Sequence, residues 1–381
     1  MSAVDQALPT TTLELRSTVA DDATVTMSLH EAGVAPPDRH EVTVRIEAAP
    51  INPSDLGVML ARADVATARP LAGETTGLQA DLPLGAAGAQ AARLGRAVPC
   101  GSEGGGVVIA AGSSPEAQAL LGLTVGFASG NSYAQFRTIP VAQCFPMPPG
   151  TTPEQAAAPF VNPLTALGMV ETMHEGGHRA IVHTVGASNL GIMLNRLCQA
   201  DGIQLINIVR RAEQAEVLRD LGAEHVLNST SDNFEDDLVE LLGATGATIG
   251  FDPIGGGEMT STLLAAMERA VSTRSTRYDT YSPPTHKQVF IYGGLDRSPT
   301  MLRRDFGTSW SVGSWRLRPF LARIGPDRAE PLRRRVASEI TTTFASSYGL
   351  RLSLADAVDP DRVRIYSQMT TGKKALIAPQ V

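Results

Sequence analysis

The sequence predicts an α/β protein built on a doubly wound parallel sheet and joined to a β-rich, barrel-like domain. Three observations predict it. From Arg179 onward, short apolar runs alternate with amphipathic helical segments, a spacing that calls for right-handed βαβ units. Before residue 150 the runs are β-branched, alternate with period two and are separated by turn residues. Between the two regions lies PMPPGTTPEQAAAPF, a proline-punctuated passage suited to a domain boundary. At 381 residues the chain has room for two domains.

In the first region ATVTMSLHE and HEVTVRIEAA read as half-buried strands. GGGVVIAAG reads as a short strand between glycine turns, and SYAQFRTIP as one that stops at its proline. The Ala/Gly/Leu-rich stretch from Arg62 to Pro99 reads as a loop carrying a short helix. In the second region the order is AIVHTV (strand), LGIMLNRLCQADG (helix, with Leu190, Met193, Leu194 and Leu197 on one face), QLINIV (strand) and EQAEVLRDLG (helix). EHVLN (strand), FEDDLVELLG (helix), ATIGFD (strand), GEMTSTLLAAMERA (helix) and QVFIYGG (strand) follow. Residues 272–287, polar and proline-bearing, interrupt that alternation and read as a flexible excursion, favoured by loop length, or as part of an interface.

Composition narrows the function. Lys and Arg number 32 against 39 acidic residues, a net charge of −7, which argues against nucleic acid as the main ligand. No apolar run reaches the roughly 18 residues of a membrane-spanning helix, and the opening MSAVDQALPT has no signal-peptide pattern. Cys100, Cys144 and Cys198 are odd in number and far apart, so neither a disulfide framework nor a cysteine zinc site is expected. A reducing bacterial cytoplasm is the expected setting. Only Lys287, Lys373 and Lys374 are lysines.

The chemistry begins at His183-Thr-Val-Gly-Ala-Ser-Asn-Leu-Gly191. Gly186, Ser188 and Gly191 have the spacing of a dinucleotide fingerprint, with serine at the middle glycine, between a predicted strand and a predicted helix. The turn Gly186, Ala187, Ser188, Asn189, Leu190, Gly191 would offer helix N-terminal N–H groups to a pyrophosphate. Where an acidic residue would hold a ribose hydroxyl, the sequence has Arg210 and Arg211, which suit a 2′-phosphate and so NADP(H). The strand ends carrying Asp252, Ile254 and Gly255, and Tyr292, Gly293 and Gly294, point to the same ligand edge, and Asn228 ends the strand between.

Together with Ile51-Asn-Pro-Ser-Asp55, Gly104-Gly-Gly-Val-Val-Ile109, Val161-Asn-Pro-Leu-Thr-Ala166, Leu221-Gly-Ala-Glu-His-Val-Leu-Asn228 and Thr371-Gly-Lys-Lys-Ala-Leu-Ile377, these motifs give a resemblance along nearly the whole chain. It resembles the medium-chain dehydrogenase/reductase superfamily, in its zinc-free quinone oxidoreductase and enoyl-thioester reductase branch. The resemblance implies a GroES-like domain at 1–155, completed by 316–381, and a Rossmann NADP(H) domain at 156–315. It implies Asn52 as a contact for an acceptor carbonyl, Asn162 and Thr165 beside the nicotinamide carboxamide, and a homodimer.

Zinc-dependent members would carry a cysteine in the INPSD segment and a histidine before the GGG run. Here the first is absent and Ser102 stands at the second, so no metal is expected. Hydride transfer to a quinone or a related conjugated carbonyl is the expected activity. The alternatives are a trans-2-enoyl-thioester reductase and a catalytically idle NADPH-binding redox sensor. The thioester reductases of the family carry a tyrosine shortly after the INPSD segment, whereas none occurs here between Asn52 and Tyr133. Arg333, Arg334 and Arg335 read as a solvated helix face that could also meet a thioester's phosphate tail.

Overall fold

The computed structural model describes residues 8–73, 75–83, 85, 88–275, 280, 283–372 and 374–381. The chain divides into two units, residues 1–161 with 333–381 and residues 162–332. The sequence places these divisions at 155/156 and 315/316.

In the second unit every predicted strand and helix of the βα alternation is present. Parallel strands Ala180–Thr184, Gln204–Val209, His225–Asn228, Ile249–Asp252 and Lys287–Ile291 are joined by a sixth, Trp310–Ser314. The spatial order runs 225–228, 204–209, 180–184, 249–252, 287–291, 310–314, so the chain reverses its direction of travel between Ala180–Thr184 and Ile249–Asp252. The sixth strand escaped the sequence reading because WSVGS has little apolar alternation. It forms by parallel pairing of Trp310 with Lys287 and Val312 with Val289. Trp315 packs inside this unit, edge-on to Phe251, and its indole N–H donates to Thr172 Oγ1 at 3.0 Å.

Helix Asn189–Asp201 shows why the local sequence folds as it does. Ser188 caps its start, Gly202 ends it in the left-handed region at φ 66°, and Leu190, Met193, Leu194 and Leu197 are all buried on one face. The expected excursion at 272–287 is shorter than its sequence suggested, because helix Met259–Arg274 runs through its first residues. Residues 276–279, 281 and 282 lie outside the described set.

The first unit carries two sheets. One orders Asp64–Pro70, Gly77–Asp81, Thr24–Gly33, Thr11–Val19 and Val98–Pro99. The other is built around Glu41–Pro50, which pairs with Gly104–Ala111, Phe136–Pro140 and the C-terminal Ala375–Ile377. Two expectations change here. The 62–99 stretch carries the expected short helix at Gly88–Arg93 but also strands: Gly77–Asp81 buries Leu78 and Ala80 by pairing with Thr24–Gly33, a tertiary contact that outweighs its weak local propensity. The glycines 104–106 are strand residues rather than a turn, since a Cβ at Gly105 would sit 2.1 Å from the Pro153 carbonyl. Among the described residues, no helix is long and apolar enough to cross a membrane.

One ion pair is buried in the second unit. Lys287 is fully buried, and its ammonium donates to Glu268 at 2.5 Å. Removing one partner strands the other charge, which costs about 3–5 kcal/mol. Lys287→Met should therefore lower the unfolding midpoint sharply in calorimetry, and Lys287→Met with Glu268→Leu should recover most of it.

Candidate active site

The glycine turn is held from below and from within. The Gly186 N–H donates to the Ile208 carbonyl at 2.9 Å, and a Cβ at Gly191 would lie 2.1 Å from the Gly186 carbonyl oxygen. Only glycine at 191 lets the helix start press against the turn. Val185 adopts φ 58°, an unusual conformation for a β-branched residue. Ser188 Oγ accepts the Gly191 N–H at 3.1 Å. The serine is thus the helix cap. Ala187 and Leu190 are buried, and Ser188 and Asn189 are partly exposed.

Arg210 and Arg211 follow the next strand and are both exposed. Arg211 starts helix Ala212–Asp220, and the Arg210 carbonyl accepts from Thr230. Asn228 uses its side-chain oxygen on the Thr230 N–H and hydroxyl, at 3.1 and 2.9 Å. It shapes the loop beside the arginines.

Asp252 is fully buried and is spent inside the protein. Its carboxylate accepts from Thr184 Oγ1 at 2.6 Å and from the N–H groups of Ile254 and Gly255 at 3.0 and 3.2 Å. This corrects its expected role as a direct ligand contact: a side chain with no surface in that position shapes the turn. Gly293 packs on the same turn, where a Cβ would meet the Pro253 carbonyl at 2.4 Å, while nothing lies within 4 Å of a Cβ at Gly294.

Tyr292 and His183 share a hydrogen bond of 2.7 Å between the phenol oxygen and Nε2, with rings stacked at 5.9 Å. Burial pushes the imidazole down to about 3 and the phenol well above its usual range, so both are neutral at ordinary pH. His183 Nδ1 is buried without a hydrogen-bond partner.

Parallel register brings Gly186–Gly191, Arg210, Arg211, Asn228, Asp252–Gly255 and Tyr292–Gly294 to one edge, at the carboxyl ends of the strands. Asn162 and Thr165 are buried in the same unit, on helix Val161–Glu175. Asn52 belongs to the first unit and departs from expectation. It is fully buried, its Nδ2 donates to Glu103 Oε1 at 2.8 Å, and its Oδ1 accepts from Lys374 Nζ at 3.0 Å. Both ends of the amide are occupied, so it does not offer itself to an acceptor carbonyl.

Sequence reading missed the network around Asn52. Glu103 Oε2 accepts the N–H groups of Phe160 and Val161 at 2.8 and 2.9 Å, and Asp55 accepts from Ser102 Oγ at 2.5 Å and from the Asn52 N–H at 2.9 Å. Burial raises the Glu103 and Asp55 carboxyls and lowers the Lys374 ammonium from their usual ranges. The one available signal was a lysine directly before an apolar strand in a chain with three lysines. Arg333 is also not a solvated residue: it stacks on Phe145 and donates to the Ala142 and Cys144 carbonyls. Arg335 pairs with Glu339 at 2.9 Å, and Arg334 is exposed.

Comparison with known proteins adds several likenesses. Residues 189–271 match the model described as zinc-binding dehydrogenase. A stretch of 160 residues is 28% identical to the synaptic vesicle membrane protein VAT-1 homolog of Rattus norvegicus, covering 42% of this chain and 39% of that protein. A stretch of 159 residues is 28% identical to a quinone oxidoreductase of Pseudomonas aeruginosa, covering 41% and 48%. The chain thus spans less than half the length of these curated relatives. Among solved structures, a candidate NADPH:quinone reductase from Mesorhizobium loti superposes with a TM-score of 0.71 at 25% identity, over 98% of this chain and 100% of that one. The Escherichia coli quinone oxidoreductase complexed with NADPH gives 0.63 at 18% identity, over 97% and 100%. The chain thus shares the α/β fold of these quinone oxidoreductase structures.

Its Rossmann and GroES-like parts follow from that fold. The zinc named in the family model does not fit the donors present. Asn52 and Ser102 are neutral, the Asp55 carboxylate is occupied by Ser102, and a lysine ammonium already sits against Asn52. Among the described residues no group of three metal-ligating side chains is found.

The buried His183 yields a pH prediction. Its folded pKa lies below the unfolded value, so the unfolded chain binds the extra proton and stability falls as pH drops from about 6.5 toward 3. The loss should approach about 1.4 kcal/mol per pH unit. Denaturant titrations of His183→Phe should show a shallower acid limb than the parent.

Proposed function

We propose that this chain is a NADP(H)-dependent oxidoreductase that reduces a quinone or a related conjugated carbonyl without a catalytic zinc. The observation that carries the reading is the gathering of a glycine turn, a capped helix start and an exposed arginine pair along one edge of a parallel sheet, at the point where the strand order reverses. When bound there, the nicotinamide cofactor supplies hydride.

The chain's own contributions are readable. The N–H groups opening helix Asn189–Asp201 favour a pyrophosphate, and Arg210 with Arg211 favours a 2′-phosphate over a bare ribose. Tyr292, backed by His183, gives a rigid wall with no ionised group at ordinary pH. Asn162 and Thr165 are assigned to the carboxamide by family resemblance. The names of the Pseudomonas aeruginosa and Mesorhizobium loti proteins support a quinone acceptor.

The thioester alternative loses support, because Arg333 is committed to carbonyls of its own unit and Tyr133 is buried, donating to the Pro50 carbonyl at 3.0 Å. A cytoplasmic location and a homodimer through the open edge of Trp310–Ser314 belong to the same proposal. That strand pairs on one side only among the described residues.

The test is NADPH oxidation followed by its absorbance with EDTA present, against a 1,4-quinone and a trans-2-enoyl thioester in parallel. Quinone-dependent oxidation indifferent to EDTA is expected. Tight NADPH binding without turnover of either acceptor would favour the sensor reading. In equilibrium binding, Arg210→Asp with Arg211→Ala should reduce the NADPH-to-NADH preference by about tenfold or more, the size of one or two lost charge-assisted hydrogen bonds. An unchanged ratio would remove the arginines from the site.

A further inference from the structure

Three buried polar side chains lie beneath the glycine turn, all within the second unit. His183 and Asn207 are register neighbours on parallel strands, so their side chains leave the same face of the sheet. Asn195 reaches that face from helix Asn189–Asp201, and Asn207 Nδ2 donates to its Oδ1 at 3.2 Å. Asn207 also presses on the turn itself, since a Cβ at Gly186 would lie 2.9 Å from its Oδ1. None of the three residues is more than 3% exposed. Each nonetheless carries one atom without a hydrogen-bond partner: His183 Nδ1, Asn207 Oδ1 and Asn195 Nδ2. Seven such atoms occur among the described residues, and three of them belong to this group, so the deficit is local.

Buried groups of this kind are ordinarily joined by an internal water with about three polar partners, and the set suits one. Such a water donates to Asn207 Oδ1 and accepts from Asn195 Nδ2. Turning both amides over exchanges those two roles and leaves the count unchanged. Its second proton needs an acceptor, and a bare His183 Nδ1 is the one at hand. A protonated Nδ1 would leave that water proton unpaired, and buried donors without acceptors are rarer than acceptors without donors. His183 is neutral, so its ring proton then sits on Nε2, which faces the Tyr292 oxygen at 2.7 Å. The phenol oxygen accepts that proton and turns its own O–H elsewhere. Among the described residues no second hydrogen bond engages the Tyr292 hydroxyl. The charge that acts on it, Asp252, has its oxygens taken by Thr184, Ile254, Gly255 and Thr260.

The place of Tyr292 along the sheet decides what that donor meets. It is partly exposed at the carboxyl end of Lys287–Ile291. Arg210 and Arg211 end the strand on one side of the glycine turn. A dinucleotide with its adenosine phosphate there and its pyrophosphate on the turn runs the other way, across Ile249–Asp252 toward Lys287–Ile291. Two strand spacings, about 10 Å, separate the strand of Tyr292 from that of the turn, which is within reach of a nicotinamide riboside. We propose that Tyr292 donates its hydroxyl proton to an oxygen of the nicotinamide riboside half of the cofactor, and that His183, Asn207 and Asn195 position it by holding one water. This rests on the oxidoreductase reading above and deepens it. The accepting oxygen belongs to the carboxamide or to the ribose, which present the same chemistry to a phenol.

Equilibrium binding of three probes to the full chain and to Tyr292→Phe tests the donor. The probes are NADP⁺, 2′-phospho-ADP-ribose, which lacks the nicotinamide, and 2′,5′-ADP, which lacks the nicotinamide and its ribose. Tyr292→Phe should weaken NADP⁺ by about three- to tenfold, the size of one hydrogen bond, and leave 2′,5′-ADP unchanged. A loss shared by 2′-phospho-ADP-ribose assigns the ribose oxygen, and a loss confined to NADP⁺ assigns the carboxamide. Parental affinity for NADP⁺ in Tyr292→Phe, or an equal loss for all three probes, would overturn the Tyr292 assignment alone. A parent that binds none of the three would overturn the cofactor reading, and the Tyr292 assignment with it.

A second readout needs no ligand. In the chain labelled with ¹⁵N histidine, two-bond proton–nitrogen correlations report which ring nitrogen carries the proton, and the His183 signals are those absent from His183→Phe. The proton should sit on Nε2. A proton on Nδ1 would overturn the proposal, because Tyr292 would then spend its own proton on His183. In Asn195→Leu with Asn207→Leu, both polar partners leave together, and the Nδ1 resonance should move downfield as an imidazole nitrogen does on losing a hydrogen bond. An unmoved resonance would overturn the water and the positioning role of the two amides.

Discussion

A single buried carboxylate organises the second unit. Asp252 sits at the end of a central strand and receives hydrogen bonds from Thr184 on the neighbouring strand and from two N–H groups of its own turn. The contact spans the place where strand order reverses, so it fixes the two loops that diverge there. Its cost is the desolvation of a charge, and several donors are what make that tolerable. The glycine turn, the close approach of Gly293 to Pro253 and the placement of Tyr292 all assume that these strand ends do not move apart.

The first unit solves the same problem with opposite charges. Glu103 has three donors, two of them backbone, and Lys374 lies one amide away rather than in direct contact. An intervening Asn52 keeps the cation and the anion from collapsing into a closed pair. A closed pair is what the second unit has in Lys287 and Glu268, where nothing is left over for a ligand. The two arrangements bury charge differently, one by direct contact and one through an intervening amide.

Much of the second unit was legible in the sequence because its strands are continuous apolar runs and its helices carry one apolar face, so each element announces itself locally. QLINIV and the helix after Ser188 are the clearest cases. Trp310–Ser314 and Gly77–Asp81 were not legible, since both become strands only by pairing with distant segments. The glycine turn was visible through spacing, but the inward commitment of Asp252 was not, because an acidic residue at a strand end looks the same whether it faces ligand or core. Asn52 was conspicuous in its motif, whereas the residues that occupy its amide come from positions 103 and 374, and no local pattern joins them.

The first unit is also interrupted in sequence, its last portion arriving only after the whole of the second. On a ribosome the second unit's elements emerge as one contiguous stretch and can close as soon as Trp310–Ser314 is available. The earlier-made strands must wait. Until Ala375–Ile377 adds to Glu41–Pro50, that sheet has an open edge and Glu103 has no cation nearby. The segment made first is therefore completed last, and during that interval it is the half of the molecule most exposed to chaperones, proteases and mispairing.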